Sequence, residues 1–367
     1  MPIVSSPLDL IFHDLFMQVR GVAEPARLYL KLEGYNVTGS IKIKPALFMV
    51  ADLERRGLLR PGESTLVESS SGNLGIALAL ICSLRGYRFI CVTDPNVSPI
   101  NRRSIEAYGG HVEVVTEKDP QGGYLQSRIA RINALVQGNP DHVWLNQYAN
   151  PFNARAHADW TARAILNDLP GVTRLYVGSG TTGTVMGLAG CFAELSPQTE
   201  VVAVEPEGSV TFDQNRKGRR LIPGIGTSRR PELADERLLG RIVYVSERDT
   251  VRMCNRLAHR NGLLLGGSSG SVLAAVAIDA ESGLLQPGDT VVAIAPDLGD
   301  KYLETIYAPE WVAAAYGADT LDTPAATLHP PLVDEPLEAV LARHAALLSR
   351  PGTTTRRHLM LAQAHDA

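Results

Sequence analysis

Cysteine is scarce in this 367-residue chain: Cys82, Cys91, Cys191 and Cys254 are scattered through apolar runs and never form a Cys-x-x-Cys pair. That spacing argues against structural zinc or any other metal site and against a disulfide framework, and buried free thiols in a reducing cytoplasm are the expectation. No apolar run is long enough to span a bilayer. The opening MPIVSSPLDLIFHDLF lacks the basic start and long apolar stretch of a secretory leader, so a cytoplasmic protein with no membrane contact is expected. No basic stripe dominates a net charge of −4, which gives no reason to expect nucleic acid. There is no Gly-Lys-Ser/Thr, which excludes a Walker-type nucleotide loop, and no repeat at solenoid spacing.

What the chain does contain is an ordinary globular balance, 45% hydrophobic and 20% charged, with enough length for two domains and a tail. Short apolar runs alternate with helical patterns. Thr65–Val67 reads as a strand, 73–85 as a buried helix ended by Gly86, and Arg88–Val92 as the next strand. Ser98 caps a helix with Pro99 in its first turn, stopping at Gly109-Gly110; His111–Val115 is strand-like and 121–136 helical. The second half repeats the scheme with strands at 175–177, 201–204 and 291–294 and helices at 183–194, 250–261 and from Ser269. This alternation predicts an α/β fold with two open, mostly parallel sheets flanked by helices, ligands sitting at the carboxyl ends of the strands. The expected division is residues 1–150, 151–315 and a C-terminal extension, 316–367, with one helical stretch at 336–348 and a mobile tail after Ser349. The aperiodic segment 206–231 reads as a lid or binding loop.

Four loops follow strands or open helices. Gly178-Ser179-Gly180-Thr181-Thr182-Gly183-Thr184 fits GxGxxG, so backbone N–H groups, a helix dipole and the threonine hydroxyls can cradle a phosphate. On this motif alone a dinucleotide fold competes evenly, with Glu205 about 20 residues on where a ribose-binding acid would lie. Lys42, in Gly39-Ser40-Ile41-Lys42, precedes an apolar helix starting near Pro45. An amine at a helix N-terminus in a partly apolar pocket has its charged form disfavoured, and a neutral amine can form a Schiff base and act as a base. Alone it also reads as a surface lysine. Ser69-Ser70-Ser71-Gly72-Asn73-Leu74-Gly75 can receive a carboxylate on its amides and hydroxyls, Asn73 adding an amide donor, although a plain turn capped by Ser71 has the same look. Gly266-Gly267-Ser268-Ser269-Gly270 is another strand-to-helix turn. In this order the loops supply an amine, a ring and substrate loop and a phosphate cradle, which is what pyridoxal phosphate requires.

These residues resemble the fold-type II pyridoxal phosphate enzymes of the cysteine synthase and cystathionine β-synthase group, from about Phe16 to Tyr302. The resemblance implies a tryptophan synthase β-like fold, pyridoxal 5'-phosphate as cofactor and a homodimer. It implies Lys42 as the Schiff-base lysine, Asn73 at the ring hydroxyl, Gly180, Thr181, Thr182, Gly183 and Thr184 at the phosphate and Ser268 at the ring nitrogen. Ser70, Ser71, Gly72 and Gln147 would take the substrate carboxylate. A hydroxyl partner leaves the ring nitrogen largely unprotonated, which favours elimination at Cβ over transamination.

The chain departs from cysteine synthases at Ile43-Lys44, where Asp-Arg is usual, at Leu74 for threonine and at Thr182 for glycine. No regulatory domain follows the core, which argues against a full cystathionine β-synthase. The stretches 39–44, 68–75, 146–151 and Gly226-Thr227-Ser228-Arg229-Arg230-Pro231-Glu232 are similar to the synthases of 2,3-diaminopropionate biosynthesis. That likeness implies a transferase performing β-replacement: O-phospho-L-serine and L-glutamate give N-(2-amino-2-carboxyethyl)-L-glutamate and phosphate. A partner dehydrogenase then releases diaminopropionate for siderophore or peptide-antibiotic assembly. Anionic substrates need cations, and Arg229 and Arg230 are the candidates, with Lys44 behind them; a solvated basic turn is an equal reading. Tyr148 could close over the reacting atoms, and His157 reads as an ordinary helical histidine. Cysteine synthase, using O-acetylserine or O-phosphoserine and sulfide, is the alternative.

Overall fold

The structure is a computed structural model and describes residues 3–119, 123–321 and 336–348. Among the described residues the strands are β1 (Phe16–Val19), β2 (Arg27–Leu32), β3 (Thr65–Ser69), β4 (Arg88–Thr93), β5 (His111–Val114), β6 (His142–Trp144), β7 (Arg174–Gly178), β8 (Glu200–Pro206), β9 (Arg241–Val245) and β10 (Thr290–Ala295). They assemble into two sheets, one in the order β1-β2-β10-β7-β8-β9 and one in the order β5-β4-β3-β6. Every pairing is parallel except β1 with β2.

Helices cover both faces of such sheets, so central strands are apolar along their whole length. Accordingly β10 (TVVAIA) and β3 (TLVES) are buried at every position. The helix Asn73–Arg85 ends at Gly86 in the left-handed conformation, and Ser98 caps Pro99–Ala107 by accepting from the Asn101 N–H at 3.2 Å. The helical stretch at the far end is Leu337–Leu348; the tail beyond Ser349 lies outside the described residues. All four cysteines are free and buried. Among the described residues no helix is long and apolar enough to cross a membrane.

A boundary at residue 150 does not divide the sheets. Strands β1 and β2 from the first 150 residues complete the six-stranded sheet, where β2 lies against β10 in register from Arg27–Thr290 to Leu32–Ala295. The turns after β3, β6, β7 and β10 open on one cleft between the sheets. The long segment between β8 and β9 adds Pro223, Gly224, Gly226 and Thr227 to its wall. Glu247 pins that segment by accepting from the Leu221 and Ile222 N–H groups at 2.9 and 2.8 Å.

Candidate active site

The cleft is open at its mouth and encloses about 220 Å³. Lys42 sits at its floor as the residue immediately before the helix Ile43–Arg55. Burial pushes its amine below the ordinary lysine range, and the Asp297 carboxylate only partly offsets this. Beside it, the Asn73 amide is clamped. Its Nδ2 donates to Asp297 Oδ2 at 2.7 Å and its Oδ1 accepts from Lys301 Nζ at 2.7 Å, while Tyr302 OH also donates to Asp297 at 2.6 Å. Lys301, Asp297 and Tyr302 were passed over in the sequence; their one signal was a polar turn at the carboxyl end of β10.

Ser70 and Ser71 divide their work differently from the expected cap. The Ser70 hydroxyl accepts from the N–H groups of Gly72 (3.2 Å) and Gly75 (3.0 Å), so it, not Ser71, caps the helix Asn73–Arg85. Ser71 Oγ turns to Thr93, Asp94 and Arg128, whose Nη1 donates to it at 2.8 Å. Since the first N–H groups of a helix have no intrahelical acceptor, Asn73 and Leu74 keep theirs for an incoming anion. Gln147 is buried, its Nε2 donating to the Ser69 carbonyl at 2.7 Å and its N–H to Glu68 at 3.2 Å. Arg128 lines the cleft, faces Asp94 at 3.3 Å and buries an Nε–H that has no partner among the described residues. Its helix, Leu125–Gly138, reads in sequence like any amphipathic surface helix, so nothing there marked Arg128.

The phosphate loop closes between β7 and the helix Gly183–Leu195. Thr182 adopts φ +65°, the left-handed region that β-branched residues avoid. Its hydroxyl is buried without a partner among the described residues. The flanking hydroxyls are set from the preceding helix: Asn153 Nδ2 donates to Thr181 Oγ1 at 3.0 Å and to the Gln147 carbonyl at 2.8 Å, and His157 Nε2 pairs with Thr184 Oγ1 at 3.2 Å. Gly183 is required here, because a Cβ would lie 2.1 Å from Asn153 Oδ1. His157 is thus more than a helical filler, and burial, with Lys42 and Lys44 nearby, drives its pKa well down and keeps it neutral. Glu205 is fully buried, out of reach of any ribose. Ser268 lines the cleft in the first turn of the helix Gly267–Glu281. An unpartnered desolvated amine, an orphaned threonine hydroxyl and a helix N-terminus converging on one cleft fit a phosphorylated aldehyde.

The remaining cations separate. Lys44 is buried against Glu33 at 2.7 Å, with Lys31 at 3.2 Å from the same carboxylate, and so offers no charge to a substrate. Arg230 is held by Glu236 and the Ala234 carbonyl and does not line the cleft. Arg229 does not line it either, but its guanidinium stacks on the ring of Tyr148, which does, at 4.8 Å.

Two carboxyls under the loops carry a pH signature. Glu68 and Glu205 are each pushed up to about 7 by burial, Glu68 against hydrogen bonds from the Ser69 and Gln147 N–H groups, while both Glu205 oxygens are buried without a partner among the described residues. Against the ordinary value of 4.5, the folded state holds more protons between pH 4.5 and 7, so these groups make stability fall as pH rises through that window. Glu33 has the opposite sign: burial works to raise it, but Lys44 and Lys31 bring it down to about 2, so its contribution is lost only as pH falls from 4.5 toward 2. Denaturant titrations between pH 5 and 7.5 should show declining stability, and Glu68→Gln should flatten the decline by up to ~3 kcal/mol. An unaltered slope in that variant would assign Glu68 an ordinary pKa.

Fold and site together define an enzyme that grips a phosphate-bearing cofactor beside a desolvated lysine. The family described as "Pyridoxal-phosphate dependent enzyme" matches residues 17–297, and the chain belongs to that family, with pyridoxal phosphate as its cofactor. It is similar to the N-(2-amino-2-carboxyethyl)-L-glutamate synthase of Ralstonia nicotianae, 40% identical over 319 residues that cover 85% of this chain and 92% of that protein. Among solved structures it resembles an O-ureido-L-serine synthase, with a TM-score of 0.76 and 30% identity over 93% of this chain and 100% of that one. It also resembles the O-acetylserine dependent cystathionine β-synthase from Helicobacter pylori, with a TM-score of 0.76 and 28% identity over 84% of this chain and 100% of that one. The dinucleotide reading of the GxGxxG loop is thereby set aside.

Proposed function

We propose that the enzyme performs β-replacement on O-phospho-L-serine with L-glutamate, giving N-(2-amino-2-carboxyethyl)-L-glutamate and phosphate. The observation that carries the donor is Arg128, a cation inside the cleft, bonded to the substrate loop and holding an unpartnered N–H. The name of the Ralstonia relative supports the acceptor and product. Bound pyridoxal phosphate would supply the electron sink that lets the substrate Cα–H and Cβ–O bonds break. Its phosphate would be held by Gly180, Thr181, Thr182, Gly183 and Thr184, its ring oxygen by Asn73 and its ring nitrogen by Ser268.

The protein's own groups do the rest. The N–H groups at the start of the helix Asn73–Arg85, with Ser71, Gly72 and Gln147, hold the α-carboxylate; Ser70 keeps that loop in shape. Lys42, whose charged form burial disfavours, takes the proton from Cα and later returns it. Arg128 steadies the phosphate at Cβ as it leaves. Tyr148, under the Arg229 guanidinium, covers the site against water. A homodimer, a cytoplasmic location and a dehydrogenase acting on the product complete the reading, for diaminopropionate supply to a siderophore or peptide antibiotic.

The test is product analysis. Holoenzyme given O-phospho-L-serine should release one phosphate per new secondary amine only when glutamate is added. Turnover with sulfide and none with glutamate would move the assignment to cysteine synthase.

A further inference from the structure

A guanidinium can bind two carboxylates at once, one end-on across its two Nη atoms and one side-on across Nε and the adjacent Nη. In Arg229 the end-on edge is filled: Nη1 and Nη2 donate to the two Glu232 oxygens at 2.9 and 3.0 Å. The side-on edge is not, since its Nε–H is buried with no partner among the described residues. The face of the group rests on Tyr148, and the Thr227 hydroxyl donates to the Arg229 carbonyl, so side chain and backbone are both tied to residues of the cleft wall. A buried donor without an acceptor costs about 1–3 kcal/mol, which an incoming carboxylate would recover. In Arg230 the Glu236 oxygens take Nη1 and Nη2 and the Ala234 carbonyl takes the second Nη2 proton, which leaves Nη2 no N–H for a side-on carboxylate.

We infer that the side-on edge of Arg229 receives the side-chain carboxylate of the second amino acid, and that Glu232 is a positioning residue holding that edge toward the cleft. This rests on the glutamate reading above and adds how glutamate is told from its neutral or shorter analogues. The reacting amine must reach Lys42, which leaves the far end of the side chain toward the wall that includes Tyr148, on whose ring Arg229 rests. Glutamine, the same shape without the charge, cannot fill the edge as an anion does.

The experiment compares kcat/KM for glutamate and glutamine in holoenzyme saturated with O-phospho-L-serine. The wild type should favour glutamate by about 100-fold or more; Arg229→Met should cut that ratio at least ~30-fold through KM for glutamate, and Glu232→Gln about 3–10-fold. Arg229→Lys, with the charge but no side-on edge, should fall between. A ratio unchanged in Arg229→Met overturns the inference, as does a Glu232→Gln variant that uses glutamate better, which would make Glu232 a competitor. Should Arg229→Met not fold, wild-type inhibition decides: glutarate should compete with glutamate at least ~10-fold more tightly than its mono-amide, and equal inhibition overturns the assignment. A wild type that turns over neither amino acid sinks the underlying function together with this site.

Discussion

Lys42→Ala is expected to lower turnover at least ~10³-fold, the scale of losing a positioned acid–base group, and to abolish the absorbance of protein-linked cofactor. Among the described residues the cleft wall carries two cationic side chains, Lys42 and Arg128, and the only amine is that of Lys42. Its pKa is lowered by burial, so the uncharged form needed to take a proton is available nearer neutral pH than for a surface lysine. Lys42→Arg should fail as badly, because a guanidinium does not deprotonate. Both variants should unfold near the wild-type temperature, since among the described residues Lys42 makes no side-chain hydrogen bond or ion pair whose loss would loosen the fold, its bond to the Ser40 hydroxyl running from its backbone N–H. Retention of a tenth of wild-type activity in Lys42→Ala would remove this lysine from the chemistry.

Arg128→Ala should cost about 10²–10³-fold in kcat/KM for O-phospho-L-serine and much less for O-acetyl-L-serine. A charge-assisted contact to a departing phosphate strengthens as the bond breaks, whereas a neutral acetyl group gains little from it. The comparison separates this role from a structural one. Arg128 also bonds Ser71 and faces Asp94, so mere distortion of the substrate loop would penalise both donors alike. An equal loss with the two substrates therefore counts against phosphate recognition, and steady-state kinetics with both donors decides.

Much of this architecture was legible in the sequence because local signals and tertiary demands agree. The helix Asn73–Arg85 runs between a glycine turn and a left-handed Gly86, and β10 is a continuous apolar run. Strands β2 and β9 were harder: β2 carries Lys31 inside, acceptable only because Glu33 lies beside it, and β9 follows a long irregular segment. At the site, the residues predicted to meet a cofactor share one cleft, since each sits in a glycine- or serine-bearing turn that opens a helix, although the turn at Ser268 follows the helix Glu247–Asn261 and not the expected strand. Arg128, Asn153 and Lys301 escaped because their importance lies in what they touch across the fold. Lys44 misled in the opposite way, its charge being consumed by a carboxylate that sequence spacing does not reveal.

The pairing of β2 with β10 joins residues 263 positions apart, as in the bond from Arg27 to Thr290. On a ribosome, the first strands therefore emerge long before their partner and spend most of translation with one edge unpaired. Ser268 and Asp297 arrive with that same late segment. The binding cleft is thus among the last parts to take shape, and cofactor capture belongs to the end of synthesis, when it can act as the step that locks a newly made chain closed.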